Sequence, residues 1–240
     1  MSASISALTP RAASISIRRL RRTELPADTV ALARFLIGKI VVREFSGTHL
    51  SGRIVETEAY PPRDPAAHHF RGPTPRNRSM FLPRGHAYVY FSYGNHFMLN
   101  VSAEIAGIGG GVLIRALEPL EGIPQMQQHR HTTRLLDLTR GPGRLASALS
   151  IDRSLDGADL CAPGPLWLGA ITASRAYHGG TAISGCPGVT ASTRVLVASD
   201  SPSLVLGKSP RIGITRAAHR LLRFYQRGSP FVSGPRRLRP

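Results

Sequence analysis

Apolar and polar positions change period several times along the chain, and each change marks an element. In PADTVALARFLIG the apolar residues Val30, Ala31, Leu32, Phe35 and Leu36 fall on one helical face, with Asp28 placed to cap the start and Gly38 to end it. A short helix is predicted there. KIVVREF and HLSGRIVETEAY then alternate with period two, are rich in β-branched residues and are separated by Ser-Gly-Thr, which predicts a hairpin. HAYVYFSY and HFMLNVSAE flank Gly94-Asn95 and predict a second hairpin, followed by a strand in GGGVLIRALEP.

Between the hairpins lies PPRDPAAHHFRGPTPRNRSMFLPRG, a polar, proline-rich stretch too long for an ordinary connection and therefore a candidate functional loop. From about Pro119 to Asp152 the pattern turns helical, most clearly in GRLASALSI, and the remainder returns to short β segments. No internal repeat is present. The expected fold is α+β: a single domain with a central curved antiparallel β-sheet flanked by short helices and long loops.

Composition narrows this picture. In 240 residues, 42% are hydrophobic, and no apolar run is long enough to cross a membrane. The 24 glycines and 19 prolines are spread along the chain, as many turns and short strands require. Residues 1–22 are rich in Ser, Ala and Arg and lack acids, which reads as a basic, disordered tail, with organelle targeting as the alternative; folded structure is expected from near Thr23. The expected domain runs from 23 to 235, and 236–240 form a basic C-terminal tail. Cys161 and Cys186 fit neither a disulfide framework nor a zinc spacing.

Charge changes the picture most. A formal net charge of +17 and a pI near 11.4 point to a polyanionic partner. Against that background IVETEAY stands out, because in an extended strand Glu56, Glu58 and Tyr60 share one side. A carboxylate on a buried strand beside an aromatic ring can serve as general base on water; periodicity does not say which of the two glutamates does so. Tyr88, Tyr90, Phe91 and Tyr93 form either an aromatic core strand or a stacking platform for bases, and their neighbourhood to a basic loop favours the platform. His68-His69 and His129-Arg130-His131 lack the partners a metal site needs, and GIGGG at 107–111 precedes no helix that would make it a phosphate loop. Arg71, Arg76 and Arg78 in the long loop either reach phosphates or merely keep the loop solvated.

Several stretches together, RIVETEAY, AAHHFRGPTPRNRSMF, GHAYVYFSYGNHFMLNVS, VLIRALEPLEG and RFYQRGSPFVS, resemble the alkyladenine (3-methyladenine) DNA glycosylase family in order and spacing, over roughly Thr23 to Ser233. The resemblance implies a base-excision-repair enzyme that hydrolyses the N-glycosidic bond of alkylated or deaminated purines, flipped out of duplex DNA. Glu58 is similar to the family's general base, Arg115 to the arginine that helps hold the water, and Ile212 stands where a main-chain carbonyl does the same. Tyr60, His68 and Tyr90 resemble the residues that sandwich the base. Asn100 resembles the asparagine that opposes the amino group of guanine, and Tyr93 the wedge that enters the duplex. Ile212 replaces a valine of the family, and His69 beside His68 leaves the choice between those neighbours open.

No cofactor or metal is implied, and the implied partner is double-stranded DNA bearing damaged purines. A monomer is expected, cytoplasmic and nucleoid-associated if the source is bacterial. The scarcity of lysine predicts a monofunctional enzyme that leaves an abasic site, since strand nicking needs an amine for a Schiff base. The competing reading is a non-enzymatic basic nucleic-acid-binding protein, which explains the charge and the tyrosines but not Glu58 beside Tyr60.

Overall fold

Ser46 and Gly47 take φ values of 48° and 76°, the left-handed pair that a two-residue hairpin turn requires, and they fold β2 (Ile40–Phe45) back on β3 (Thr48–Tyr60). The computed structural model of the protein describes residues 16–92, 94–172 and 205–234. Nine strands, all antiparallel, form one sheet among these residues. The path runs from β1 (Ile17–Arg19) through β7 (Leu166–Ile171), β2, β3, β6 (Gly111–Glu121) and β5 (His96–Ser102) to β4 (Ala87–Ser92). On the edge of β3 beyond β2, β9 (Arg223–Gln226) pairs Glu56, Thr57 and Glu58, and β8 (Leu206–Ser209) pairs β9.

The expected first helix is present as α1 (Thr29–Leu36); the Asp28 carboxylate accepts from the Ala31 N–H at 2.7 Å, and Gly38 follows at φ 85°. The helical middle holds α2 (Ile123–Arg130), α3 (Leu135–Leu138) and α4 (Pro142–Ala148). Helices α1 and α4 cover one face of the sheet and bury Leu32, Leu36, Ile54, Val101, Ile114 and Leu145 in a common core.

One expectation needs correcting. Residues 17–22, assigned to the tail, belong to the fold: β1 pairs β7, Leu20 is buried, and Arg18 holds Glu24 at 2.7 Å. The β-branched Ile17 and the apolar Leu20 supply two anchor points that the surrounding arginines obscure in the sequence. The rest of the expected tails, and most of the stretch between Leu160 and Pro210, lie outside the described residues.

Irregular pairing between β3 and β6 decides what faces the site. Ile54 pairs with Leu117 and Glu56 with Ala116, so Val55 is an extra residue; Thr57 then pairs with Ile114, so Arg115 is extra on the partner. Each bulge flips the alternation of its strand. Leu50 and Ile54 point into the core before it, Ala59 after it. Thr57 donates its hydroxyl to Ala33 O of α1 at 2.9 Å. Glu56 and Glu58, of the same parity as Ile54, are thereby turned to the opposite face, together with Arg115. Without the bulge they would enter the apolar core.

Candidate active site

Glu58 is fully buried. Its Oε1 accepts the main-chain N–H of Ile212 at 2.7 Å and meets Arg115 Nη1 at 3.1 Å, while its Oε2 accepts the Tyr60 hydroxyl at 2.9 Å. A carboxylate offers about four acceptor positions. One on Oε2 remains for a further donor.

Glu56, two residues back on the same face and equally buried, accepts four donors. Its Oε1 accepts Arg115 Nε–H at 2.8 Å, Arg223 Nε–H at 2.6 Å and the Ser233 hydroxyl at 3.0 Å, and its Oε2 accepts the Ser233 N–H at 2.6 Å. Burial alone would raise its pKa, but Arg115, Arg223 and these hydrogen bonds hold it below the ordinary carboxylate value. Arg115 is raised above its ordinary value, because Glu58 and Glu56 outweigh the effect of burial.

A cavity of about 400 Å³ is lined by Tyr60, His68, Tyr90, Asn100, Arg115 and Ile212, among others, and three of these, Tyr60, Arg115 and Ile212, touch Glu58. The size of the cavity is that of a small-ligand site. Tyr60 is set from two sides: its hydroxyl is bound to Glu58, and the Arg211 guanidinium lies 4.6 Å from its ring centre. Burial, and then the charge of Glu58, raise the Tyr60 pKa far above its usual value, so it remains a hydroxyl donor. Arg211 is itself buried, donating to Ala59 O at 3.0 Å and to Asp64 Oδ1 at 3.1 Å, and Arg220 donates to the other oxygen of buried Asp64 at 3.1 Å.

On the other wall, Tyr90 stacks on Tyr88 with centres 5.3 Å apart and meets His68 edge-on at 4.5 Å. His68 Nδ1 lies 2.9 Å from the Tyr88 hydroxyl, and desolvation lowers the His68 pKa, with Arg76 and His69 adding to the effect. The Asn100 amide donates to Tyr88 O at 3.2 Å, which fixes the orientation of the group it presents to the cavity. Arg71, Arg76 and Arg78 are exposed, and the first two line a smaller cavity of about 330 Å³ beside His68, together with Arg216.

The structure therefore brings Glu58, Arg115, Ile212, Tyr60, His68, Tyr90 and Asn100 together; Tyr93 lies outside the described residues. Two details add to the expectations. Ile212 bonds the carboxylate through its N–H, a contact separate from the water-holding role expected of its carbonyl. Tyr60, expected as an apolar wall, gives Glu58 a hydrogen bond. His69 turns away from His68, placing Nε2 3.1 Å from Pro61 O and its ring edge-on to Phe81. His129 is a packing residue, within 2.9 Å of both Ala148 O and Gln125. No group of three or more metal-binding side chains occurs among the described residues, and no helix there is long and apolar enough to cross a membrane. The Cys161 thiol is pushed up to about 11 by burial. The last three GIGGG glycines serve close packing, since a Cβ on Gly111 would meet Met80 at 2.7 Å and one on Gly109 would meet His69 at 2.8 Å, whereas Gly107 takes a φ of 86° in open space.

Sequence reasoning missed Arg223, Arg211, Asp64 and Ser233. In a chain with 31 basic residues a buried arginine carries no mark, and only the alternation of Arg223 with Phe224 and Tyr225 hinted at a strand.

Comparison with known proteins adds the family. The sequence profile described as methylpurine-DNA glycosylase matches residues 23–230. A Mesorhizobium japonicum protein, provisionally named a 3-methyladenine DNA glycosylase, is 58% identical over 91% of this chain and 92% of its own length. A Paraburkholderia phytofirmans protein with the same provisional name is 45% identical over 93% and 92%. The DNA-3-methyladenine glycosylase of Mus musculus is 42% identical over 85% of this chain and 58% of its own length.

Proposed function

The chain belongs to the methylpurine-DNA glycosylase family, and from that premise we propose that it excises 3-methyladenine, 7-methylguanine and hypoxanthine from duplex DNA, with Glu58 as the base that activates water. The class of activity, a DNA glycosylase of base-excision repair, follows from the family. The lesions and the roles of individual residues are our reading.

The observation that carries it is the contrast between two carboxylates on one strand face. Glu56 accepts four donors, none of them from a residue of the cavity lining except Arg115, whereas Glu58 accepts three, keeps a position on Oε2 and shares Tyr60, Arg115 and Ile212 with that lining. A nucleotide inside the helix cannot present its sugar to such a site. It must be turned out, at a cost of a few kcal/mol that is lower for damaged or poorly paired bases.

In the cavity the base lies among Tyr60, His68 and Tyr90. Water attacks the anomeric carbon, Glu58 takes its proton, and the bond to the purine nitrogen breaks with its electron pair leaving on the base. An alkylated purine carries a positive charge, which favours stacking on tyrosine and is neutralised as the base departs. Asn100, fixed through Tyr88 O, stands against the amino group of normal guanine. Tyr93 is the proposed wedge that fills the gap in the duplex. Lys39 lies over the Phe35 ring at 4.7 Å and Lys208 is an exposed residue of β8, so neither lysine lines the cavity, in keeping with hydrolysis that leaves an abasic site. The protein acts as a monomer on DNA in the cytoplasm.

The test is a duplex oligonucleotide carrying one hypoxanthine or one methylated purine, incubated with the protein and then treated with alkali. Cleavage at the lesion only after alkali is the expected result. Binding without cleavage for every lesion would favour a nucleic-acid-binding module; cleavage before alkali would overturn the monofunctional reading.

A further inference from the structure

Arg115 touches both glutamates, each with one nitrogen: its Nε–H donates to Glu56 Oε1 at 2.8 Å, and its Nη1 forms an ion pair with Glu58 at 3.1 Å. A guanidinium is a planar fork whose preferred partner is both oxygens of one carboxylate. Here the fork is split between two residues, one nitrogen to each, with the longer contact to Glu58.

We infer that Glu56 is a positioning residue that holds Arg115 to a one-nitrogen contact with Glu58, and so keeps Glu58 Oε2 open to accept the attacking water. The inference rests on Glu58 being the base, as proposed above.

Three features carry it. First, Glu56 is locked from elsewhere: fully buried Arg223 donates to it from β9 and is tied in turn to Ser209 Oγ at 3.0 Å and Ser233 O at 2.8 Å. Second, Ser233 donates both N–H and hydroxyl to Glu56 and also lies 3.4 Å from Arg115 Nη2, so the segment after Ser229 completes the arrangement, beyond the last residue of the family match. Third, the charges balance among buried side chains, two guanidiniums against two carboxylates. Stability alone is a weak reason for such a cluster, since apolar residues of similar volume often serve it as well.

Without Glu56, the long contact from Nη2 to the Ser233 hydroxyl at 3.4 Å is a weak hold on the Arg115 fork against the pull of Glu58. The fork would close on both oxygens and occupy the position that water needs. The charged and titratable groups facing the Glu58 region are Arg115 from β6, Arg223 from β9, Glu56 and Tyr60 from β3, Arg211 from the loop after β8, and His68 across the cavity. Removing the Glu56 charge leaves a positive surplus beside the base, which favours its ionised form to lower pH and makes it a weaker proton acceptor.

The experiment is single-turnover excision of one lesion by excess protein, followed across pH for the wild type, Glu56→Gln, Glu56→Asp and Arg223→Gln, with duplex affinity measured in parallel. For Glu56→Gln the plateau rate should fall about ten- to a hundredfold, the cost typical of a small misplacement. Its acid limb should move to lower pH while affinity is kept. Glu56→Asp keeps the charge and should leave the acid limb in place; Arg223→Gln should move it to higher pH. Where thermal melting shows that Glu56→Gln does not fold, the other two variants decide. A rate loss with an unmoved acid limb in both charge-changing variants makes Glu56 a merely structural acid and overturns the inference, as does an unchanged rate. A wild type that excises no lesion overturns the proposed function instead.

Discussion

The main-chain N–H of Ile212 donates to Glu58 Oε1 across 2.7 Å, tying the loop after β8 to the C-terminal end of β3. The two residues stand 154 positions apart in the chain, and the loop that carries Ile212 also lines the cavity with Gly213 and Ile214. A carboxylate is needed for this bond as an acceptor and for the water as a base. Glu58→Gln keeps the size of the side chain and one acceptor oxygen but loses the ability to take a proton. Excision should fall by about 10²–10⁴-fold or more, the usual contribution of a positioned general base, with affinity for lesion-bearing duplex retained. Alkali-dependent cleavage and a binding titration on the same oligonucleotide check it, and wild-type rates in the variant would remove Glu58 from the reaction.

Tyr60→Phe isolates the hydroxyl from the ring. The ring still lies against Arg211, so the wall of the cavity stays, while Glu58 Oε2 loses a donor at 2.9 Å. A hydrogen bond to a charged group contributes about 1.5–3 kcal/mol, which converts to a rate loss of roughly ten- to a hundredfold if the bond is needed as water is activated. Single-turnover rates should show this loss with little change in duplex affinity. A variant that instead loses affinity at unchanged rate would assign the hydroxyl to base recognition.

Much of this was legible in the sequence, for reasons that the residues make plain. Strong alternation in KIVVREF and HAYVYFSY, and the Asp28 cap, are local signals, and the hairpins and α1 appear where they predict. That Glu56, Glu58 and Tyr60 share a face also follows from period two. What the sequence could not show is which face, because that depends on the bulge at Val55 and its counterpart at Arg115, which arise only when β3 meets β6. Nor could it rank the glutamates from local pattern, since donors to Glu56 come from Arg223 and Ser233, 167 and 177 residues away.

Asp64 supplies a stability prediction. It is buried in the long loop, where it holds buried Arg211 at 2.8 Å and Arg220 at 3.1 Å. Asp64→Asn leaves the Arg211 guanidinium without its counter-charge, a loss of about 3–5 kcal/mol for a broken buried pair. At roughly 2–4 °C per kcal/mol for a chain of this size, the Tm should fall by about 6–20 °C. Calorimetry checks it, and because Arg211 supports Tyr60, excision by the folded fraction should weaken as well. A Tm within about 2 °C of the wild type would mean that Arg220 or water replaces the lost charge.

His69 gives the pH dependence a direction. It is buried, with Nε2 against Pro61 O and Nδ1 without a partner among the described residues, and burial lowers its pKa from an ordinary value of 6.5, against the smaller opposing effects of Pro61 O, Asp64 and Glu104. Because the unfolded chain binds the proton more readily than the folded one, stability is full above the unfolded value. It is lost as pH falls from 6.5 toward the lower folded value, and the loss levels off below that. The Tm should therefore fall between neutral and mildly acidic pH in the wild type, and fall less in His69→Gln, which can still donate toward Pro61 O but has nothing to protonate. Parallel Tm curves for the two proteins through this range would show that His69 accommodates its proton in the fold.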